Sequence, residues 1–216
     1  MSLSTKDCGR DILYYDVTSE YPFVNARKQY PVGHPVAMLK HECPQSNETW
    51  KKANLFGNVR CSILPPGQLL HPVLPYRQNG ALMFPLCHTC CREKRESFCP
   101  HSDVERTLHG TWPTIEIDRA VKLGYTIVRV EEVAHFNRRS SDLFKNFIYC
   151  LYKNKLEASG FPHDADTPAK KQFYVEEIFK REGLKLDLAN ISVNPGRRQM
   201  AKILMNSFWV SFFFLF

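Results

Sequence analysis

The sequence predicts an α+β protein in three parts: a short buried strand, a stretch of antiparallel strands and loops, and a run of helices. Residues 11–18 (DILYYDVT) are rich in β-branched and aromatic side chains, which is typical of a buried strand. Eleven of the fourteen prolines lie between Pro22 and Pro113, and helical spacing of apolar residues begins only after residue 142. The predicted boundaries are 1–30, 31–140 and 141–216.

Composition favours a folded, basic protein. The chain has 216 residues, of which 44% are hydrophobic and 24% charged, so a packed core is expected and wholesale disorder is excluded. The formal net charge is 29 − 22 = +7, which favours an acidic partner such as nucleic acid. No apolar run is long enough to cross a bilayer, and the first ten residues lack an apolar signal segment. We therefore expect an intracellular protein, nuclear or cytoplasmic, that is not secreted and has no membrane partner.

The middle part is expected to be a small α+β unit. Its strand signals are three apolar stretches, at residues 58–64, 81–86 and 125–136. A short helix is predicted over residues 115–123, with Thr114 as its N-cap and Gly124 at its end. The loops between these elements are long for an enzyme core, which indicates an insertion with a task of its own.

Three helices are predicted for the last part. The first covers residues 143–158, is capped by Ser141 or Asp142, and carries an apolar stripe at helical spacing. That stripe consists of Phe144, Phe147, Ile148, Leu151 and Tyr152. The second is Pro168–Glu182, stopped by Gly183, and the third covers residues 197–209 with Asn194 as its cap.

The first motif with chemical potential is DVTSEYP, residues 16–22. Asp16 ends an apolar strand and precedes a tight turn, a placement that suits a hard cation such as Mg²⁺. The turn also exposes consecutive backbone N–H groups, which can cradle an anion. The alternative is that Asp16 is an ordinary turn residue or helix cap.

The second motif lies in the last predicted helix. Arg198, Lys202 and Asn206 are spaced i, i+4, i+8 and therefore share one helix face. Two cations one turn apart near a helix N-terminus favour a polyphosphate ligand. The alternative is a solvated basic face without a ligand.

The third motif is a group of metal-binding residue types within 15 positions, and Cys91 and His88 are possible substitutes in it. The predicted ligands are Cys87, Cys90, Cys99 and His101. Three soft sulfurs and an imidazole with a close first pair are typical of a structural zinc site. The alternative is a set of ordinary buried or surface cysteines.

Together the motifs resemble those of family B DNA polymerases. DVTSEYP is similar to motif A (DxxSLYP), and KILMNSFW, residues 202–209, is similar to motif B (KxxxNSxYG). The motif order and the long segment between them are similar to the protein-primed branch. Phrases such as YPVGHP and FPLCHTC look most like the polymerases of Polinton/Maverick transposons. The resemblance covers residues 11–209.

The resemblance implies DNA-directed DNA synthesis in which two Mg²⁺ ions align a primer 3′-hydroxyl with the α-phosphate of a dNTP. It implies that Asp16 is one of the two catalytic carboxylates that bind Mg²⁺, that the Val17 carbonyl adds an oxygen, and that the backbone of Ser19 and Glu20 holds phosphates. Tyr21 matches the ring that excludes a ribose 2′-hydroxyl. The further nucleotide-binding residues that it implies are Lys155, Arg198, Lys202 and Asn206.

The resemblance also implies roles for the three parts: a partial palm, an insertion that contacts the terminal protein primer and DNA, and fingers. Glu20 stands where the family usually has Leu, and Val210 where it has Gly. No YxDTDS motif, which carries the second metal carboxylate, is found in the 216 residues. The expectation is a polymerase fragment that is inactive alone. The alternative is a non-catalytic, zinc-stabilised module that binds DNA or terminal protein.

Overall fold

The structure is a computed structural model that describes residues 20–78, 80–95 and 97–213, with side chains through residue 207. The predicted strand at residues 11–18 lies outside this part of the chain, as do Asp16, Val17 and Ser19. The chain divides into two units. One, the helical unit, combines Met1–Tyr30 with Ser141–Phe216; the other, the sheet unit, is Pro31–Ser140. The sheet unit spans the residues predicted to be an insertion, and what it contacts stays a prediction.

Helices and strands are both well represented, so the α+β class is confirmed. The helices are α1 (Glu20–Arg27), α2 (Asn47–Ala53), α3 (His88–Glu93), α4 (Asp103–Arg106), α5 (Thr114–Lys122), α6 (Lys145–Glu157), α7 (Pro168–Glu182) and α8 (Pro195–Phe213). The strands are β1 (Tyr30–Val32), β2 (Val36–Leu39), β3 (Gly57–Leu64), β4 (Tyr76–Gln78), β5 (Ala81–Met83), β6 (Leu108–Pro113), β7 (Thr126–His135) and β8 (Arg138–Ser140). A short 3-10 turn covers Leu188–Asn190.

The sheet unit is built on an antiparallel sheet with strand order β2-β7-β3-β6. Strand β3 is central and pairs with both β6 and β7. Its alternate residues Val59, Cys61 and Ile63 are almost fully buried, which is the pattern of a strand with one face on the core. Helices α2 and α5 cover that face, and the Trp50 indole N–H joins them by donating to the Asp118 carboxylate at 2.8 Å.

Gly57 begins β3 in a conformation that only glycine adopts readily. Its φ is +146°, and a Cβ placed there would lie 1.9 Å from the Ala134 carbonyl oxygen on β7. The close approach lets the backbone N–H of Gly57 donate to the Thr114 hydroxyl at 3.1 Å. The start of the central strand is therefore fixed by a residue without a side chain.

The helical unit has its own small core. Ile178 on α7 packs with buried residues of the segment that follows it, and tyrosines and leucine of α6 lie against them. The buried residues are Ile178, Leu184, Leu186 and Ile191. Helix α1 packs against α6 and α8, and α6 packs along α8. None of the helices, within the part of the chain that the structure describes, is both long and apolar enough to span a membrane.

Several predicted elements are confirmed closely. Helix α7 has the predicted bounds, with Gly183 at φ +71° after its last residue. Asn194 caps α8, because its side-chain oxygen accepts the Arg197 backbone N–H at 2.9 Å. Strand β3 starts one residue before its predicted range, and β7 is one residue shorter than predicted at each end. Strand β5 is shorter than predicted and ends before Pro85, which has no N–H to donate to a ladder.

The predicted caps of two other helices were wrong. Thr114 is the first residue of α5 rather than its cap, since its hydroxyl is committed to Gly57 and Pro113 takes the cap position. Helix α6 begins at Lys145, with Phe144 rather than Ser141 or Asp142 at its cap position. The expected apolar stripe on α6 is only partly buried. Ile148, which is 2% exposed, is its buried member.

Several elements were not predicted, among them α1 and β6. Helix α1 starts at Glu20 where a turn was expected, and Pro22 fits within its first turn because that position needs no intrahelical N–H donor. Strand β6 has the sequence LHGTWP, in which Gly and Pro obscure the strand signal. Both elements owe their conformation to packing rather than to local propensity.

Candidate functional site

The basic motif of α8 lies on a surface beside the helix–helix contact. Ala201 and Met205 are 3% and 2% exposed and form the buried stripe of α8. Lys202 and Asn206 each follow a residue of that stripe by one position, Arg198 lies one turn before Lys202, and all three side chains are exposed. The exposed stripe therefore runs alongside the contact with α6 and not on its far side.

Lys155 of α6 lies close to this stripe. Its pKa is lowered, first by burial and then by the positive charges of Arg198 and Lys202. Charges shift a neighbour's pKa in this way only when they are near one another. Among residues 20–78, 80–95 and 97–213, no carboxylate forms an ion pair with any of the three cations. We call Lys155, Arg198 and Lys202 the cation cluster.

Ser159 orients one member of the cation cluster. Its hydroxyl accepts a hydrogen bond from the Arg198 Nε at 3.2 Å and donates to the Lys155 carbonyl at 2.7 Å. The contact links the C-terminal end of α6 to the first turn of α8. Three guanidinium and ammonium groups that lie together with no carboxylate partner among the described residues constitute a site that favours a polyvalent anion.

The end of the first motif lies on a helix that packs against the same pair. Glu20 and Tyr21 are the first residues of α1, which contacts α6 and α8. Both side chains are exposed, and that of Tyr21 is 58% accessible. The structure thus brings the end of DVTSEYP to the helices that carry the cation cluster, while Asp16 falls outside the described residues.

The predicted metal ligands meet in the sheet unit. The ligand atoms of all four lie within 4.8 Å of one another. The His101 Nδ1 is 3.4 Å from the Cys87 sulfur, 3.2 Å from that of Cys90 and 3.5 Å from that of Cys99. One ring nitrogen shares a proton with only one sulfur at a time, so three near-equal distances indicate a metal ligand set. Tetrahedral zinc with its usual bond lengths would separate sulfur and nitrogen by about 3.6 Å.

Local structure prepares these ligands. Cys87 is the N-cap of α3, and its sulfur accepts the Cys90 backbone N–H at 3.3 Å, which places both sulfurs on one side of the helix start. The outer nitrogen of His101, Nε2, lies 3.8 Å from the Glu93 carboxylate, which is longer than a hydrogen bond but places an acidic group on the side where metal-binding histidines usually have one. The four residues Cys87, Cys90, Cys99 and His101 form what we call the Cys3His cluster, and it could hold a metal ion.

The thiols of the Cys3His cluster differ in acidity. Burial acts to raise the pKa of the Cys99 thiol, but hydrogen bonds from His101 and from the neighbouring thiols outweigh it and lower the pKa to about 7. The possible substitutes Cys91 and His88 are not among the four clustered ligands. His88 instead forms a hydrogen bond with the Tyr76 hydroxyl through Nδ1, at 2.8 Å. Cys61 is a core residue, and burial raises its pKa to about 12.

A comparison with protein families decides the identity. The model of the family described as DNA polymerase type B, organellar and viral, matches residues 3–212. The chain belongs to this family. No curated protein matches the chain, and no solved structure matches it. The family resemblance in the two sequence motifs is thereby confirmed, and DNA, dNTPs and a divalent metal are the partners that such a polymerase uses.

Within this polymerase, the matched range includes both the cation cluster and the Cys3His cluster. Sequence reasoning missed Ser159 and Glu93, which contact predicted site residues. A serine just after a helix is usually a helix-end residue, and a glutamate among charged neighbours is usually solvated. Their only signal is a short separation in sequence from Lys155 and Cys90, which is common by chance.

Proposed function

We propose that the cation cluster binds the triphosphate of an incoming dNTP in DNA-directed DNA synthesis. The observation that carries this proposal is that Ser159 joins the Arg198 guanidinium to the end of α6 at Lys155, while Lys202 lies one turn along α8 from Arg198. None of the three cations has a carboxylate partner among the described residues. A surface that merely improves solubility would have no need to bring three like charges together, because they repel. A bound polyphosphate removes that repulsion.

Each residue then has a chemical task. Lys202 and Arg198 hold the β- and γ-phosphates, and Lys155 neutralises charge that develops on the leaving pyrophosphate. Asn206, one turn beyond Lys202, lies near the sugar and the nascent base pair. Tyr21 blocks a ribose 2′-hydroxyl, the Val17 carbonyl would add an oxygen ligand for Mg²⁺, and the backbone of Ser19 and Glu20 contacts phosphates. Mg²⁺ bound by Asp16 would supply activation of the primer 3′-hydroxyl and charge neutralisation.

The finer family placement is part of the proposal. We assign the chain to the protein-primed branch and to the neighbourhood of Polinton-type transposon polymerases, on the strength of the motif order and the phrases between the motifs. Residues 1–30 then belong to a palm and residues 141–216 to fingers. The sheet unit corresponds to the insertion that contacts a terminal protein and DNA. We place the protein in the nucleus or cytoplasm.

The test is nucleotide binding, since two-metal catalysis uses two carboxylates and the resemblance supplies only Asp16. The full chain is titrated with fluorescently labelled dGTP and dGMP in the presence of Mg²⁺. We expect dGTP to bind at least about tenfold more tightly than dGMP, because only dGTP reaches all three cations. Lys202→Ala should remove most of that preference.

A matched control is Lys180→Ala. Lys180 is an exposed lysine of α7 that pairs with Glu177 at 3.4 Å, and it is not part of the cation cluster. Its loss changes the net charge by the same amount as Lys202→Ala and should leave the preference for dGTP intact. Equal affinities for dGTP and dGMP in the unmodified chain, or equal effects of the two lysine variants, would overturn the proposal.

We also propose that the Cys3His cluster binds zinc and stabilises the sheet unit for contacts with DNA or a terminal protein. The near-equal distances from the His101 Nδ1 to three sulfurs support it. Elemental analysis of the purified chain should find about one zinc per chain. Cys90→Ser should abolish it, and Cys150→Ser, which changes an exposed cysteine of α6, should not. If the purified, unmodified chain contains no zinc, the proposed zinc site is contradicted.

The non-catalytic alternative makes a separate prediction. If the zinc unit alone binds DNA, salt-dependent DNA binding survives Asp16→Ala and Lys202→Ala but is lost when zinc is chelated. If the polymerase assignment holds for both units, the Lys202→Ala variant loses dGTP preference whether or not zinc is present.

A further inference from the structure

Glu157 is a buried charge next to the cation cluster. It is the last residue of α6 and only 1% exposed. Removing a carboxylate from water costs several kcal/mol unless it is paired and hydrogen-bonded. Its partners therefore show what the fold requires of this end of the helix.

Both carboxylate oxygens of Glu157 have partners. Oε1 accepts the Asp187 backbone N–H at 2.9 Å and lies 3.7 Å from the Lys153 ammonium. Oε2 lies 3.5 Å from the guanidinium of Arg197, which is 40 residues away in sequence and belongs to the first turn of α8. Arg197 also donates to the side-chain oxygen of Asn154.

The backbone around Glu157 is held as well. Its carbonyl accepts the Ser192 N–H at 3.0 Å, and the Ala158 carbonyl accepts the Asn194 N–H at 2.9 Å. Gly160 follows at φ +75°, and a Cβ there would lie 2.7 Å from the Val193 side chain. The end of α6 is thus joined to the segment that leads directly into α8.

Arg197 differs from its neighbour Arg198 in what it contacts. Arg197 is committed to Glu157 and Asn154, whereas Arg198 lies in the cation cluster and has no carboxylate partner among the described residues. Adjacent helix positions point about 100° apart, so fixing the Arg197 guanidinium sets the rotation of α8 about its own axis. That rotation decides whether Arg198 and Lys202 face Lys155.

We propose that Glu157 is a positioning residue for triphosphate binding: through Arg197 it orients α8 so that Arg198 and Lys202 converge with Lys155. The inference rests on the proposed function, because it assigns a task to a residue that contacts no nucleotide itself. Glu157 lies on the buried side of the α6–α8 contact, whereas the cation cluster lies on its exposed side.

The experiment compares dGTP and dGMP binding by the full chain and by Glu157→Gln, which keeps the size of the side chain and removes its charge. We expect Glu157→Gln to weaken dGTP binding about fivefold to tenfold and to change dGMP binding less than about twofold. A role in folding alone would not act on the triphosphate selectively. Circular dichroism establishes that the variant is folded.

Lys153→Met is the matched control, since Lys153 also pairs with Glu157, but that pair lies within α6 and does not involve α8. It should leave the dGTP-to-dGMP ratio unchanged. Should Glu157→Gln unfold, Arg197→Gln breaks the same bridge from a side chain that is 42% exposed and should lower the ratio similarly. Arg197→Lys should restore part of it.

The outcomes separate the two ideas. An unmodified chain that does not prefer dGTP overturns the proposed function and this inference with it. A normal preference that persists in Glu157→Gln and in Arg197→Gln overturns the positioning role alone. A selective loss of dGTP affinity in these variants, with Lys153→Met unaffected, supports the positioning role.

Discussion

The Cys3His cluster and the cation cluster are assembled in opposite ways. The first takes its ligands from one short stretch, since Cys87 and His101 are only 14 residues apart, and the cap of α3 sets the first pair locally. The second takes its cations from α6 and α8, whose joining contact between Glu157 and Arg197 spans 40 residues. One site depends on a loop that closes around a ligand, and the other depends on the packing of two helices.

This difference determines which changes should disrupt each site. Soft ligands attract a metal that supplies the binding energy for the fold around it. Like-charged cations repel, so their convergence has to be maintained by other interactions, here a buried ion pair and backbone hydrogen bonds. We therefore expect the sheet unit to respond to metal and the helical unit to respond to changes in its helix contacts.

Metal removal should have the largest effect and should be confined to the sheet unit. We expect Cys90→Ser, or treatment with a zinc chelator, to destabilise this unit by about 3 kcal/mol or more, because either change removes the metal that would hold the four ligands together. Differential scanning calorimetry would show a transition that moves down by about 10 °C or more. A transition unchanged by the chelator and by the variant would remove the contrast between the units.

Gly57→Ala should have the next largest effect on stability. The new Cβ would meet the Ala134 carbonyl oxygen, so strand β3 has to shift from β7, at a cost of about 2 kcal/mol. Gly67→Ala is the control, because nothing lies within 4 Å of a Cβ there. Urea unfolding measures both variants, and equal free energies of unfolding would show that the close approach is not required.

Thr167→Ala tests whether stability and ligand binding are separable in the helical unit. The Thr167 hydroxyl caps α7 by accepting the Lys170 N–H at 3.3 Å, and its loss should cost about 1 kcal/mol. Because α7 carries none of the cation cluster, dGTP affinity should not change. Thr167→Ser should restore the unfolding midpoint, and a drop in dGTP affinity would show that α7 contributes to the site.

Lys155→Met should have the smallest effect on stability, and with the opposite sign. Burial and two neighbouring cations lower the pKa of Lys155, so its charge opposes folding at neutral pH, and this penalty fades as pH rises above the lowered pKa. Met should raise stability by about 0.5 kcal/mol at pH 7 and weaken dGTP binding. The stability gain should shrink at high pH; a gain that does not depend on pH would have another cause.

Prediction from sequence succeeded where the determining interactions are local. The range of α7, with Gly183 as its stop, the cap of α8 at Asn194 and the ligand set of the Cys3His cluster were all predicted from local sequence. It failed at α5, where Thr114 is drawn away from its expected cap role by the distant Gly57. It also failed at α1, because packing against α6 and α8 is invisible in the sequence EYPFVNAR.

The sequence by itself determined the family, the α+β class and the residue types of both clusters. It also determined the helix face shared by Arg198, Lys202 and Asn206, because helical periodicity and short ligand spacings are properties of the local chain. The resemblance implied a shared role for Lys155, but only the tertiary structure showed how the end of α6 meets Arg198 and that Glu157 holds Arg197. Those contacts depend on how α6 packs along α8, and burial is what gives a single carboxylate control over the orientation of a helix.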